Sequence, residues 1–188
     1  MRADWASLAL LAAVAALVLA AAPPAMAERA CPSAAATPAT VAKRIAVRAT
    51  LCVLNQQRAR HGLRPLKLNR RLSRAARRHA RDMVRRRYFS HDSVGGASFV
   101  DRIRRTGYLR RARRWTVGEN LAWGTLNRSA PRSITRMWMH SPGHRANILS
   151  PSFREVGIGL VRGAPVRVGG QAAATYATSF GAKRKAIR

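Results

Sequence analysis

Apolar residues recur at helical spacing in two long stretches of the first half of the chain. The segment 41–61 carries its apolar residues on one face and is followed by Gly62, which predicts a helix that ends there. A second helix is predicted from the capping residue Asn69 to about Arg87. Its apolar stripe consists of Leu72, Ala75, Ala76, Ala80 and Met83. Residues 63–66 are predicted to connect the two helices.

The second half of the chain alternates between short helical and extended patterns. Ser98 is predicted to cap a third helix over 99–106, and Pro131 lies in the first turn of a fourth helix. Extended segments are predicted at 115–122, 155–161 and 172–180. Four helices and about three strands in this order indicate an α+β domain with an antiparallel sheet.

The stretch 138–149 places two histidines and a serine where the fourth helix is predicted to stop. Pro142 disfavours helical geometry at Ser141, and Gly143 permits a tight bend, so His144 is predicted to lie on a turn. A polar residue on a turn between apolar anchors is typical of a cleft. The alternative is a helix C-terminus whose histidines interact with the helix dipole.

The segment 141–149, with the sequence SPGHRANIL, resembles the signature of bacterial secreted members of the CAP superfamily. That superfamily includes cysteine-rich secretory proteins, antigen 5 and plant pathogenesis-related proteins, and its domain is also called the SCP domain. Further segments match in the expected order, and they are 54–60, 88–92, 118–122 and 155–159. The resemblance implies a three-layer α-β-α sandwich with a central antiparallel sheet, about four helices and a cleft over the sheet.

The same resemblance implies a cleft lined by two histidines and two acids. Carried over position by position, it assigns His91, Glu119 and His144 to the cleft. The second acid of the animal and plant members falls here on Ser141, which is a departure from their pattern. Glu155 is a weak candidate to replace that acid, because it belongs to a different segment.

Two imidazoles and one carboxylate could hold a divalent ion such as zinc and leave a position for water. The tentative metal ligands are therefore His91, Glu119 and His144. The alternative is a hydrogen-bonded cluster without metal, in which Glu119 is a buried carboxylate that holds backbone amides or an arginine. His79 lies on the apolar stripe of the second helix and is predicted to be a buried histidine with a backbone partner.

The first residues are predicted to be an export signal. Arg2 precedes an apolar run over 5–22, and Ala25-Met26-Ala27 suits cleavage before Glu28, which predicts a signal peptide over 1–27. The run is just shorter than the ~20 residues that span a bilayer, so an uncleaved anchor is less favoured. Lipidation of Cys31 is a third option that the polar residues before it argue against.

Residues 28–40 are predicted to be a leader with little structure, 41–182 the CAP domain, and 183–188 a disordered basic tail. The chain has two cysteines, Cys31 and Cys52. An even pair in an exported chain predicts a disulfide, and this one would tie the leader to the first helix.

The chain is strongly basic, with 36 Lys and Arg against 7 Asp and Glu and a net charge of +29. Such a surface attracts acidic polymers at low salt without specific nucleic-acid recognition. The alternative is a genome bias toward arginine codons, because arginine is spread over the whole domain.

Three functions remain open at this point. The first is a monomeric protein, secreted or held in the cell wall, whose cleft binds a small apolar, lipid or wall-derived ligand. The second is a metal-assisted hydrolase that uses His91, Glu119 and His144. The third is a polyanion-binding surface protein with a vestigial cleft. Catalysis is not decided by these residues, because related domains host many roles.

Overall fold

One mixed four-stranded sheet forms the centre of the domain in a computed structural model that describes residues 30–185. The predicted signal peptide lies outside the described residues. The strands are β1 (Lys67–Leu68), β2 (Ala112–Thr125), β3 (Glu155–Arg162) and β4 (Ala173–Lys185), and their order across the sheet is β1-β3-β4-β2. The β2–β4 and β3–β4 pairs are antiparallel, whereas β1 and β3 are parallel.

Five α-helices surround this sheet in the described part of the chain. They are α1 (Lys43–Ala59), α2 (Arg70–Arg86), α3 (Phe99–Arg105), α4 (Pro131–His140) and α5 (Pro142–Leu149). A short 3₁₀ turn, Leu126–Ser129, links β2 to α4. Asn69 caps α2 by accepting bonds from the backbone N–H groups of Arg71 and Leu72, as its position in the sequence predicted.

The alternation of side chains along the strands separates the helices into two layers. Even-numbered residues of β3 and β4, such as Ile158 and Tyr176, pack with α1, α4 and α5 in the main core. Odd-numbered residues face α2, and Ala177 joins Ala76 and Ala80 in a second cluster. The predicted three-layer α-β-α sandwich is therefore confirmed.

Two glycines allow α2 to lie directly on the backbone of β3. A Cβ at Gly157 would stand 2.0 Å from the carbonyl carbon of Leu72, and one at Gly159 would stand 2.3 Å from that of Ala76. Real Cβ atoms do not approach other heavy atoms so closely, so only glycine at these two positions lets the helix and the strand pack at this separation.

The structure corrects three details of the prediction. The connection after α1 contains the two-residue strand β1, which is too short for a periodic pattern and makes the sheet mixed. Residues 142–149 form the helix α5 and not a turn, because Pro142 occupies the first helical turn, where its missing N–H costs nothing. Strand β4 continues through Lys185, into the predicted tail, because β2 begins early enough to pair with it.

The Cys31–Cys52 disulfide is present and joins the leader to α1. The leader also packs on the domain, since Ala34 is buried and its carbonyl accepts a bond of 2.9 Å from the backbone N–H of Arg132. In the range 30–185 no helix combines the length and the apolar character needed to cross a membrane.

Candidate functional site

The centre of the candidate site is the buried carboxylate of Glu119 on β2. Both of its oxygens accept a hydrogen bond of 2.9 Å from Nη2 of Arg102. Its Oε1 also accepts a bond of 3.0 Å from Nδ1 of His91. The carboxylate thus lies in a buried ion pair and also bonds an imidazole, which matches the alternative in which it holds an arginine.

Arg102 reaches Glu119 from α3 and is itself nearly buried. A capping box between Ser98 and Asp101 fixes the first turn of this helix. Nη1 of Arg102 donates to the backbone oxygen of Ala97 at 2.9 Å and to the hydroxyl of Ser93 at 3.2 Å. The guanidinium therefore ties the loop that carries His91 to the carboxylate on β2.

His91 is the exposed member of this cluster, with 52% of its side chain accessible against 2% for Glu119. A carboxylate that is paired with arginine accepts hydrogen bonds, so Nδ1 of His91 is the donor and carries a proton. In the neutral ring, Nε2 is then the atom with the lone pair. The geometry is that of a carboxylate-oriented histidine, the arrangement that fixes both ring orientation and tautomer.

His79 supports the same loop from α2. It is buried, and its Nε2 lies 2.9 Å from the backbone oxygen of Ser90, next to His91. This confirms the predicted backbone partner. Burial lowers the pKa of His79, and repulsion from the Arg102 guanidinium lowers it further.

His144 lies in the first turn of α5 and is half-buried. Burial lowers the pKa of its imidazole, and electrostatic repulsion from His91 lowers it further. The structure thus joins the side chains of His91 and Glu119, and it ties the backbone of His144 to β2 through Asn120.

Two asparagines, the buried Asn120 and the half-buried Asn147, hold α5 against β2, and sequence reasoning assigned them no role. Nδ2 of Asn120 donates to the backbone oxygen of His144 at 3.0 Å. Nδ2 of Asn147 donates to the backbone oxygen of Glu119 at 3.1 Å and to Oδ1 of Asn120 at 2.9 Å. The sequence offered a reason to consider them, because Asn120 lies in the motif segment 118–122 and Asn147 lies in 141–149.

The arginine Arg58 fixes the other end of α5 and was also missed. It is fully buried on α1, and it donates to the backbone oxygens of Arg64, Ile148 and Ser150 at 2.7–2.9 Å. Burial lowers its pKa, and the nearby Arg154 contributes in the same direction. Its guanidinium acts as a cap for the carbonyls at the C-terminus of α5.

The fourth predicted cleft residue, Ser141, occupies the N-cap of α5, where its side chain makes no capping hydrogen bond. It supplies no second acid. Glu155 does not replace it, because its oxygens accept bonds of 2.7 Å from Asn69 and from the hydroxyl of Tyr108. Glu155 therefore joins β3 to the start of α2.

The residues do not fit the three-ligand zinc site that the sequence suggested. Both oxygens of Glu119 are already engaged by Arg102, and Nδ1 of His91 points to the carboxylate rather than to a shared ion. Within residues 30–185 there is no group of three or more His, Cys, Asp or Glu side chains that could hold a metal ion.

Two cavities in the described part of the domain lie away from this cluster. One of about 620 Å³ is lined mainly by apolar residues that include Trp123, Met137 and Val168. The other, of about 400 Å³, lies between α1 and α4. Neither of these two cavities is lined by His91, Glu119 or His144.

Comparisons with known proteins agree with the fold and with the motif segments. A sequence model of the cysteine-rich secretory protein family, CAP, matches residues 51–178. The uncharacterized protein YkwD of Bacillus subtilis is 37% identical over 107 residues, which are 57% of this chain and 39% of YkwD. The chain therefore spans well under half the length of this relative.

Solved structures of other proteins also share this fold. An extracellular protein containing an SCP domain from Bacillus anthracis superimposes with a TM-score of 0.55 at 25% identity, over 74% of this chain and 43% of that one. An outer surface protein from Borrelia burgdorferi superimposes with a TM-score of 0.60 at 17% identity, over 77% of this chain and 97% of that one. The second likeness is one of fold alone.

Proposed function

Because the chain belongs to the cysteine-rich secretory protein (CAP) family, we propose that it is an exported binding protein for an amphipathic lipid or wall-derived ligand. The polar end of the ligand would bind at His91. The observation that carries the proposal is the fixed imidazole of His91, which is half-exposed and oriented by the buried Glu119–Arg102 pair. A site of this kind is organised before the ligand arrives, which lowers the entropic cost of binding.

The loop that holds His91 also presents apolar surface. Phe89 is 46% exposed and Val94 is 59% exposed, on either side of His91 in the sequence. These two exposed apolar side chains flank a hydrogen-bonding group in the sequence. The combination suits a ligand with one polar and one apolar end.

Binding accounts for the cluster better than hydrolysis does. A metal-assisted hydrolase needs a free acid or metal ligand, but both oxygens of Glu119 are committed to Arg102. A serine hydrolase needs its nucleophile in contact with a base, and no hydrogen bond joins Ser141 to a histidine in the described structure.

Export and an extracellular or wall location form part of the same proposal. The signal-like pattern over 1–27 and the disulfide support it, because disulfides persist in oxidising compartments. The Bacillus anthracis structure supports it as well, since that protein is named an extracellular protein.

The test is to purify the exported protein from culture medium, extract it with organic solvent and identify the extracted compounds by mass spectrometry. Binding of a fluorescent fatty-acid or lipid probe is then measured for His91→Ala and for His61→Ala, which removes an exposed histidine that lies outside the cluster and lines neither cavity. We expect probe affinity to fall only in His91→Ala. Equal affinity in both variants would refute the site.

A further inference from the structure

The cavity between α1 and α4 is separate from the His91 cluster. Its volume is about 400 Å³, which lies within the range of small-ligand pockets. One wall is formed by residues at helical spacing on α1, from Val53 to Arg60, and the other by residues 132–140 of α4. We refer to it as the α1–α4 groove.

The basic side chains of the groove come from both helices. Arg132 and Arg136 are one turn apart on α4, His140 follows one turn later, and Arg60 approaches from the end of α1. No acidic residue lines the groove, and the described residues place no ion pair on Arg132 or Arg136. The groove therefore has a local positive potential that its own lining does not neutralise.

Neutral hydrogen-bonding groups accompany the arginines. Gln57 lines the groove from α1, and Thr135 lines it from α4 between the two arginines. Thr135 is 1% exposed, and its hydroxyl has no hydrogen-bond partner in the described structure. A buried hydroxyl without a partner is unfavourable, so its presence on the wall of a basic cavity points to a ligand that accepts its hydrogen.

From this placement we propose that the α1–α4 groove binds a phosphate group. Arginine forks match the oxygens of phosphate in pairs, and a tetrahedral phosphate has enough acceptor positions to bond two arginines and a hydroxyl together. A carboxylate has fewer oxygens and would leave part of this donor set unused. The site is distinct from general charge attraction, because its donors converge on one cavity and do not lie along a flat surface.

The experiment compares two pairs of substitutions that remove the same charge. Arg132→Gln/Arg136→Gln alters the groove, whereas Arg78→Gln/Arg81→Gln removes two exposed arginines from the outer face of α2. Binding of inorganic phosphate is measured by calorimetry or by NMR at constant ionic strength, with acetate as the carboxylate control. All four arginines are exposed, so both variants should fold, and circular dichroism checks this.

We expect the groove variant to lose about tenfold or more in phosphate affinity, since charge-assisted bonds are the strongest of their kind. The α2 variant should stay within about twofold of the unmodified chain, and acetate should bind more weakly than phosphate. Equal losses in both variants would show that only the overall charge matters, and this would overturn the proposal. Unchanged affinity in the groove variant would overturn it as well.

Two further measurements, one with a Thr135 variant and one with a second probe, define which groups of the protein and of the ligand take part in binding. Thr135→Val keeps the shape of the side chain and removes only the hydroxyl, so it should weaken phosphate binding without unfolding the domain, and an unchanged affinity would count against the proposal. Diethyl phosphate is the second probe. If it binds with the same dependence on Arg132 and Arg136, the site accepts a phosphodiester of a polymer or lipid. If only inorganic phosphate binds, the ligand is a small molecule with a terminal phosphate.

Discussion

One guanidinium nitrogen of Arg102 donates to both carboxylate oxygens of Glu119, each at 2.9 Å, in a place where the two side chains are 9% and 2% exposed. Burial of either charge alone would be strongly unfavourable. Each of the two charged side chains is therefore tolerated in the interior only because the other is present. The ion pair also fixes the position of His91. Arg102, which holds the other residues of the site in position, lies in none of the motif segments.

The first prediction concerns the loss of that arginine. Arg102→Met should destabilise the domain by about 3–5 kcal/mol, because it leaves the carboxylate of Glu119 buried without its partner. Urea unfolding followed by circular dichroism measures the change. The control is Arg105→Met on the same helix, an exposed residue whose replacement should cost no more than about 0.5 kcal/mol.

A double variant distinguishes a lost ion pair from lost packing. Arg102→Met/Glu119→Leu removes both charges, so it should be more stable than Arg102→Met alone. If the double variant is less stable than the single one, the ion pair does not account for the loss.

The pH dependence of stability follows from the buried histidines. The pKa values of His79 and His144 are both lowered from the ordinary 6.5, chiefly by burial. As the pH falls below this value, the unfolded chain takes up protons that the folded chain does not, so unfolding becomes more favourable. The free energy of unfolding should thus be lower at about pH 5.5 than at about pH 7.5.

Urea unfolding at the two pH values tests this sign, and NMR titration of the ring protons assigns it to the two histidines. A stability that rises on acidification, or ring pKa values above 6.5 for both residues, would contradict the account of their environment.

The contact between β3 and α2 gives a third prediction. Gly157→Ala should destabilise the domain by about 1–3 kcal/mol or more, because its Cβ would overlap the backbone of α2. The control is Gly95→Ala, where a Cβ meets no atom within 4 Å, and which should be neutral or stabilising by up to about 1 kcal/mol. Thermal unfolding of both variants compares them, and similar melting temperatures would refute the close packing.

The disulfide gives a fourth prediction. Its cysteines are 21 residues apart in the sequence, and a loop of this length predicts a stabilisation of about 3 kcal/mol. Urea unfolding of Cys31→Ser/Cys52→Ser should show this loss. Two thiols that react with iodoacetamide in the unreduced, unfolded chain would show instead that the bond does not form.

Local patterns predicted the helices and the main strands, whereas the layers and the motif residues were implied by the family resemblance. The stripe of α2 and the cap at Asn69 follow from helical periodicity, and His91, Glu119 and His144 follow from the family motifs. These three were expected to converge, and the cluster joins His91 and Glu119 directly.

The buried arginines, the helix α5 and the strand β1 were not predicted, because they depend on contacts between distant segments or on positions that local patterns do not distinguish. Among 36 Lys and Arg residues, no local pattern separates the buried Arg102 from those in solvent, whereas Arg58 at least lies in the motif segment 54–60. The helix α5 was predicted as a turn, since Pro142 and Gly143 disfavour most helical positions, although Pro is well suited to the first turn. The short strand β1 exists only because β3 pairs with it.

The most direct test of the central claim is native mass spectrometry of the untagged protein from culture medium, since it reports bound metal and bound organic ligand in one spectrum. The account predicts a chain that begins at Glu28, contains one disulfide, carries an organic adduct and holds no zinc. His91→Ala should lose the adduct. One zinc ion per chain at neutral pH, absent from Glu119→Gln, would contradict it, because Glu119 would then be a metal ligand and not the partner of Arg102.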